Sequence, residues 1–293
     1  MFPEETKQII KKSMSRPLRI EYPGALYHVI ARGNAKQDIF LTDHDRRRFL
    51  RWLQDTCKTH NLLCHAYCLM GNHYHLLLET LDANLAIAMR DLNGNYSQWF
   101  NAVHGRVGHL FQGRYKAFVI EKETYLLEVA RYIVLNPVRA HLVKHPKEWK
   151  WSSYRATCGA STSPEWLRVD WLLTHFSKKK QEAQQEYRQF VDEGSDARNP
   201  YDDVSNGFLL GSPQFVSWIW EKTNGVEELK EYRREERIVG RPTLEEIFAD
   251  ATTKTKRNEG IVFARLRCGY LTTEIAKLVG IDRSVVGRIS RGK

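Results

Sequence analysis

Between Gly24 and Tyr154 the sequence alternates between strand-like and helix-like stretches in a single order. Short runs rich in aromatic and β-branched residues favour strands, and longer runs with apolar residues three and four apart favour helices. The stretches follow one another as strand, helix, hairpin, helix, strand and helix. This order is typical of a ferredoxin-like α+β sandwich, in which helices cover an antiparallel sheet. We therefore predict an α+β fold of this type for the first half of the chain.

Local turn and capping signals set the expected bounds of these elements. The predicted elements are a strand at Leu26–Ala31, a helix from Thr42 to His60, a hairpin of Leu62–Leu69 and Tyr74–Leu78, a helix at Asn84–Val103, a long strand at His109–Ile120 and a helix at Thr124–Asn136. We expect the last helix to end before Pro137, because a proline ring disfavours helical geometry in the residue that precedes it.

The remainder of the chain has weaker signals, most of them helical. Helical patterns occur at 166–175, 178–192 and 213–222, and Gly194–Asn206 is rich in residues typical of a linker. We predict three regions, which are a sandwich domain at residues 1–156, a helical connecting region at 157–237 and an all-α helix-turn-helix domain at 238–293.

The chain carries 45 Lys and Arg against 35 Asp and Glu, which gives a formal net charge of +10. This excess favours a polyanionic partner such as nucleic acid, although a basic protein without such a partner fits the charge equally well. No apolar run reaches the length of about 18 residues that a membrane span needs, and the N-terminus lacks the apolar core of a signal peptide. We expect a cytoplasmic protein with no membrane partner, so the motifs must decide its function.

The cysteines give a second indication of the compartment. There are five, an odd number without any CxxC pair, and they are Cys57, Cys64, Cys68, Cys158 and Cys268. Buried, reduced thiols are therefore expected rather than disulfides or a zinc site.

His73 and His75 are separated by one residue in the second strand of the predicted hairpin. Alternate side chains of a strand point to the same face, so both imidazoles can converge on one cation while Tyr74 faces the packing. Two such histidines are, by themselves, more often ordinary strand residues than metal ligands. A third partner is needed to make a site.

Tyr132 and Asn136 are four residues apart in the last predicted helix, so they project from the same face. A phenol nucleophile would then lie beside a carboxamide oxygen that can complete the ligand set of a metal. The alternative is a packed tyrosine and a helix-ending asparagine before a proline.

The two motifs together indicate one reaction. A phenol, with an unperturbed pKa of about 10, is a poor nucleophile at neutral pH, but it can attack a phosphodiester when a divalent cation binds the phosphate oxygens. Imidazole and oxygen ligands suit Mg²⁺ or Mn²⁺, and two histidines favour Mn²⁺. The product would be a covalent phosphotyrosine linkage that retains the bond energy, so the cut strand can be rejoined without ATP.

Three motifs follow one another along the chain: CLMGNHYHLL at 68–77, YIVLNPVR at 132–139 and WKWSSY at 149–154. Together they resemble the single-tyrosine transposases of the HUH nuclease superfamily, and in particular the REP-associated tyrosine transposases. The resemblance covers residues 19–154 and implies a transposition or DNA-recombination enzyme that acts on single-stranded DNA with hairpins. Family members commonly form dimers, so we expect a homodimer here.

The resemblance also implies roles for individual residues. His73 and His75 match the metal ligands of the family, and Tyr132 matches its nucleophile. Asn136 matches a further metal ligand, but insertion-sequence relatives commonly have a glutamine there. The shorter Asn136 side chain could therefore reach the metal through water.

Cationic and aromatic residues near these motifs are candidate DNA contacts. Tyr115, between Arg114 and Lys116 on the long predicted strand, could stack on a base for about 1–3 kcal/mol while its neighbours contact phosphates. Arg139 could begin a track of phosphate contacts after the catalytic helix. A solvated surface explains the same residues equally well.

Apolar residues within 271–289 stand at the spacings that two short packed helices need, with Gly280 at the turn between them. This pattern resembles a helix-turn-helix and, more loosely, the C-terminal DNA-binding domain of the bacterial replication initiator. The second helix of such a unit enters the major groove of duplex DNA, so Arg283, Ser284 and Arg288 are expected near its reading face.

The leading hypothesis is therefore a metal-dependent single-strand endonuclease and strand transferase of the bacterial cytoplasm, associated with the nucleoid. One alternative is a non-catalytic regulator that only binds DNA hairpins. Another is a hydrolase that uses the two histidines to activate water and forms no covalent intermediate. A trapped protein–DNA adduct would separate the first hypothesis from both alternatives.

Overall fold

The computed structural model describes residues 20–194, 199–205, 207–222, 242–268 and 270–290. Its centre is one five-stranded sheet. The strands are β1 at Ala25–Arg32, β2 at Leu62–Leu69, β3 at His73–Thr80, β4 at Lys116–Ile120 and β5 at Leu209–Leu210. They lie in the order β2-β3-β1-β4-β5, and all neighbouring pairs are antiparallel except the parallel pair of β4 and β5.

Helices cover both faces of this sheet. Helices α1 (Asp43–Thr59) and α2 (Leu85–Val103) lie on one face, and α3 (Lys122–Arg139) lies on the other. Because neighbouring residues of a strand point to opposite faces, Tyr74 and Leu76 pack under α1 and α2 while Leu77 packs under α3. The predicted α+β sandwich with its ferredoxin-like order of elements is confirmed.

Strand β4 is shorter than the sequence predicted. Its pairing with β1 covers residues 116–120, whereas residues 109–115 form a loop that bridges to Gly33 through Phe111. Gly108 and Gly113 have φ angles of +96° and +75°, which turn the chain away from a strand path. The prediction of a continuous strand over residues 109–120 is wrong because it passed over these glycines.

Helix α3 continues through Pro137 to Arg139, so the predicted end before the proline is also wrong. Proline has no N–H to donate to the carbonyl of Ile133, four residues earlier. The side-chain Nδ2 of Asn136 donates to that carbonyl instead, at 3.3 Å, and also to the carbonyl of Tyr132 at 2.9 Å. The asparagine thus replaces part of the bonding that the proline removes.

The region after α3 packs on both sides of the sheet, since Leu172 joins the core under α3 and Ile219 joins the core under α1 and α2. It contains α4 at Tyr154–Thr157, α5 at Val169–Leu173, α6 at Lys180–Glu193 and α7 at Pro213–Lys222, with short 3₁₀ turns at Pro146–Glu148 and Pro200–Asp203. Helix α6 buries Ala183, Tyr187 and Val191 against α3. Residues 200–203 belong to the predicted linker, whose residues 195–198 and 206 lie outside the described residues.

A strand from this mostly helical region joins the central sheet. The N–H of Val119 donates to the carbonyl of Phe208, and the N–H of Glu121 donates to the carbonyl of Leu210, both at 2.8 Å. The Glu121 carboxylate then accepts from the N–H of Ser212 at 2.7 Å. Residues 208–212 are therefore held at the β4 edge, while the division of the chain into three domains stays a prediction.

The tail forms a small helical unit. Its elements are α8 at Leu244–Phe248, α9 at Lys254–Val262, a π-helical turn at Phe263–Arg267, α10 at Thr272–Val279 and α11 at Arg283–Ile289. Ile261, Ile275 and Val286 form the centre of its core. Gly280, at φ +66°, makes the turn between α10 and α11 where the sequence predicted it.

The structure bears on the expectations for the cysteines and for membrane-spanning helices. All five cysteines are buried, as predicted. Over the described ranges, the helices lack the length and apolar character that a membrane crossing requires.

Candidate active site

His73 and His75 lie together at the start of β3, on the face that α3 covers. Their ring centroids are 5.0 Å apart and the rings meet edge to face. The Oδ1 atom of Asn72 lies 2.7 Å from Nδ1 of His73. The side chain between them, Tyr74, is buried on the opposite face and donates to Asn93 at 2.6 Å. Strand geometry therefore brings the two imidazoles together as predicted.

A third histidine, His28, belongs to the same cluster, although no role was predicted for it from the sequence. It lies on β1, whose pairing with β3 places Ile30 opposite His75 and His28 opposite Leu77. The side chain is fully buried, and its Nε2 lies 2.8 Å from Nδ1 of His75. The register between β1 and β3 brings these two rings into contact, and this register cannot be read from the sequence.

Tyr132 projects from α3 toward this histidine cluster. Its ring centroid lies 6.4 Å from that of His75 and 6.3 Å from that of His28. The guanidinium of Arg139, two turns later, lies 4.9 Å from the centroid of the Tyr132 ring. Asn136 occupies the intervening turn of the same helix. The two sequence motifs therefore converge between β3 and α3.

A second tyrosine, Tyr201, closes one side of the cluster. Its ring centroid is 5.1 Å from that of Tyr132 and 4.7 Å from that of Phe118. Its hydroxyl forms a hydrogen bond with Nδ1 of His28. Tyr201 comes from the 3₁₀ turn after α6, and no motif in the sequence pointed to it.

Burial sets the protonation of these groups. Desolvation lowers the pKa of His28 to about 3, lowers the pKa of His73 to about 4 with help from the charge of Arg32, and holds the pKa of His75 well below its usual range. All three imidazoles are therefore neutral at physiological pH, the state in which a ring nitrogen can bind a metal.

Burial shifts the pKa of the two phenols upward, in the opposite direction to its effect on the imidazoles. Burial raises the pKa of Tyr132 above 10, and the neighbouring Arg139 partly opposes this effect. Burial also raises the pKa of Tyr201 well above its usual range. Tyr132 is consequently a neutral phenol in the free protein, and it needs further help to act as a nucleophile.

Acidification is expected to destabilise the protein through the two buried histidines, His28 and His75. Their pKa values are lower in the folded state than the ordinary 6.5, so the unfolded chain binds more protons below that pH and stability is lost as the pH falls. At about 1.4 kcal/mol per pH unit for each group, the free energy of unfolding should fall by about 2–4 kcal/mol between about pH 7 and pH 5. Urea titrations across this range measure the change.

The control for this pH prediction is His28→Phe, which removes one of the two groups. Its free energy of unfolding should depend less steeply on pH than that of the wild type. An equally steep dependence in both proteins would show that other groups cause the acid sensitivity.

The donor set fits a divalent cation in part. The Nε2 atom of His75 is buried and has no hydrogen-bond partner, as expected of a nitrogen that is reserved for a ligand. Both ring nitrogens of His28 are already hydrogen-bonded, so it is not a third ligand. Within the described ranges, His, Cys, Asp and Glu side chains form no group of three or more that could hold a metal. A cation here would need the Asn136 oxygen, water or substrate to complete its ligands.

The predicted DNA contacts near the sandwich domain have different environments. Arg114 and Lys116 are exposed on either side of the start of β4, and Arg139 is partly buried over Tyr132. Tyr115 is only 8% exposed and packs in the core under α2. The predicted stacking of a base on Tyr115 is therefore wrong for this structure, because its ring is covered by its own chain.

In the tail, α11 presents the predicted residues at its surface. Arg283, Ser284 and Arg288 are exposed, and the Asp282 carboxylate caps the helix by accepting the Ser284 N–H at 2.7 Å. Arg283 and Ser284 also line a cavity that Arg90 borders from α2. Duplex DNA binding by this unit stays a prediction.

Comparison with known proteins gives matches to a family model, to a curated protein and to solved structures. Residues 21–136 match the family model described as "Transposase IS200 like". A Haemophilus influenzae protein, provisionally named a REP-associated tyrosine transposase, is 26% identical over 159 residues, which are 50% of this chain and 88% of that protein. A solved structure of a REP-associated tyrosine transposase bound to a REP hairpin has 17% identity and a TM-score of 0.42, covering 54% of this chain and 90% of its own.

Proposed function

We propose a function for this chain that starts from its match to the IS200-like transposase model at residues 21–136. A transposase domain of this kind is what the motifs predicted. The chain is a metal-dependent endonuclease and strand transferase that cuts single-stranded DNA near hairpins through a covalent phosphotyrosine intermediate. One observation carries this proposal. The Tyr132 ring lies 6.4 Å from the ring of His75, and His75 lies beside His73 on the same face of β3.

The reaction needs one nucleophile and reverses without an external energy source. The Tyr132 oxygen attacks the phosphorus, a new O–P bond forms, and one P–O bond of the DNA backbone breaks. The phenolic proton leaves to solvent, and the departing DNA oxygen takes up a proton to become a hydroxyl. Attack of a DNA hydroxyl on the phosphotyrosine then reforms a phosphodiester and frees Tyr132.

The other side chains would hold the cation, favour the ionised phenol and contact the DNA phosphates. His73, His75 and Asn136 would hold Mg²⁺ or Mn²⁺, which when bound withdraws negative charge from the phosphate oxygens. Arg139 lies against the Tyr132 ring and favours its ionised form, which offsets part of the effect of burial on the pKa of the phenol. Arg114 and Lys116 are placed to contact DNA phosphates.

The partners follow from the relatives and from charge. The Haemophilus influenzae relative is named for REP elements, so hairpin-forming single strands are the substrate we propose. The net charge of +10 suits a polyanion. We further propose that the α10–α11 unit binds duplex DNA, that the chain acts as a homodimer, and that it works at the nucleoid in the bacterial cytoplasm.

Adduct trapping tests the proposal. The purified full chain is incubated with labelled single-stranded hairpin oligonucleotides from the DNA beside its gene, with Mn²⁺, with Mg²⁺ or with chelator. We expect a denaturant-resistant protein–DNA adduct that requires the metal, and peptide mapping should place it on Tyr132. Hairpin binding without adduct or cleavage under any metal would favour the regulator, and cleavage without adduct would favour activated water.

A further inference from the structure

We infer that Tyr201 is a positioning residue of this site, acting through His28 to set which nitrogen of His75 carries the proton. The observation behind it is a chain of hydrogen bonds that joins the Tyr201 hydroxyl, the His28 ring and the His75 ring. The inference rests on the proposed function only for the DNA-cleavage measurement. The measurements of the His75 tautomer and of Mn²⁺ affinity need no DNA.

The two hydrogen bonds constrain each other, because a neutral imidazole carries its one proton on only one of its two ring nitrogens. If Nδ1 of His75 carries its proton, it donates to Nε2 of His28. His28 must then carry its own proton on Nδ1, and that N–H donates to the hydroxyl oxygen of Tyr201. In this arrangement Nε2 of His75 has a lone pair available for a cation.

The reverse arrangement closes the site to metal. If the Tyr201 hydroxyl donates to His28, His28 donates to Nδ1 of His75, and the proton of His75 lies on Nε2. That N–H would be buried without an acceptor, since Nε2 of His75 has no hydrogen-bond partner. A buried N–H without a partner is rare and costly, so the first arrangement is favoured when the Tyr201 O–H donates to water or to bound substrate.

The phenol oxygen is thus the acceptor that makes the first arrangement possible. Without it, the Nδ1–H of His28 would lose its partner in a fully buried position. His28 would then shift its proton to Nε2, donate to His75 and move the His75 proton onto Nε2. A group that does not itself bind the cation would in this way decide whether His75 can bind one.

The fold holds Tyr201 in place from outside the family domain. The turn at Pro200–Asp203 begins at Asn199, whose side chain accepts the Tyr201 N–H at 3.2 Å. Strand β5 then fixes the following residues to the β4 edge. Because Tyr201 lies beyond residues 21–136, the segment after the transposase domain contributes to its active site.

The test compares Tyr201→Phe with Tyr187→Phe. Both changes remove one hydroxyl from an aromatic ring of the same region, but Tyr187 is fully buried in the α3–α6 core and bonds Thr157. In full-length, metal-free protein with ¹⁵N-labelled histidine, NMR should show the His75 proton on Nδ1 in the wild type and in Tyr187→Phe. In Tyr201→Phe it should show a shift of this proton toward Nε2. A His75→Asn sample assigns the signal.

The second readout is Mn²⁺ affinity, measured by calorimetry without DNA. Loss of a residue that orients a metal ligand typically weakens the metal affinity by about 10–100-fold, and we expect this loss for Tyr201→Phe but not for Tyr187→Phe. Cleavage by Tyr201→Phe should fall at low Mn²⁺ and recover at high Mn²⁺. A structural defect would not be rescued by metal.

A double-variant cycle tests the route through His28. In a His28→Phe background, Tyr201→Phe should cause no further loss of Mn²⁺ affinity. Equal, additive losses would show that Tyr201 acts by another route, and an unchanged His75 tautomer in Tyr201→Phe would overturn the inference. If the wild type binds Mn²⁺ and shows the expected tautomer but forms no adduct, the proposed function fails while this inference stands.

Discussion

Tyr132→Phe is expected to abolish the covalent protein–DNA adduct and to lower strand cleavage by at least about a thousandfold, as loss of a nucleophile does in other enzymes. The phenylalanine ring keeps the contacts that Tyr132 makes with His75, Tyr201 and Arg139, so the fold and the metal site should persist. What disappears is the oxygen that forms the bond to phosphorus. Denaturing gels with labelled hairpin oligonucleotides measure both products.

Tyr125→Phe is the matched control for this experiment. Tyr125 lies two turns earlier on α3, is partly buried against the same core and also loses one hydroxyl in the variant. It should form the adduct at the wild-type rate. An adduct that survives Tyr132→Phe would assign the nucleophile to another tyrosine and would remove the main support for the proposed reaction.

His73→Ala is expected to weaken Mn²⁺ binding by more than about 100-fold, beyond the loss typical of a residue that only orients a ligand. Metal-dependent cleavage should fall with it. His73 is partly exposed at the start of β3, so removing its ring leaves the buried bond between His28 and His75 intact. Calorimetry with Mn²⁺ and cleavage at several Mn²⁺ concentrations measure the effect.

His109→Ala serves as the control because His109 is an exposed histidine in the loop before β4. It should bind Mn²⁺ and cut DNA like the wild type. The two main variants also separate binding from chemistry, since Tyr132→Phe should keep Mn²⁺ affinity and His73→Ala should lose it. Unchanged Mn²⁺ affinity in His73→Ala would mean that this histidine is not a ligand.

Local patterns predicted most of the sandwich domain. The order of strands and helices follows from periodicity, and residues 21–136, which hold the first motif and the start of the second, match the IS200-like transposase model. The errors have local causes. Glycines at 108 and 113 break the strand that apolar residues suggested, and the Asn136 side chain lets α3 pass Pro137. Tyr115 is buried because the loop before β4 folds back onto α2.

The sequence by itself determined which side chains each element presents together. A strand repeats every two residues and a helix every 3.6, so His73 with His75, and Tyr132 with Asn136, share a face whatever the rest of the chain does. Only the tertiary structure decided that β1 pairs with β3 in the register that brings His28 to His75. It also decided that a short strand near residue 209 carries the Tyr201 turn to the same place. Strand register and edge pairing depend on contacts between distant residues, and no local period encodes them.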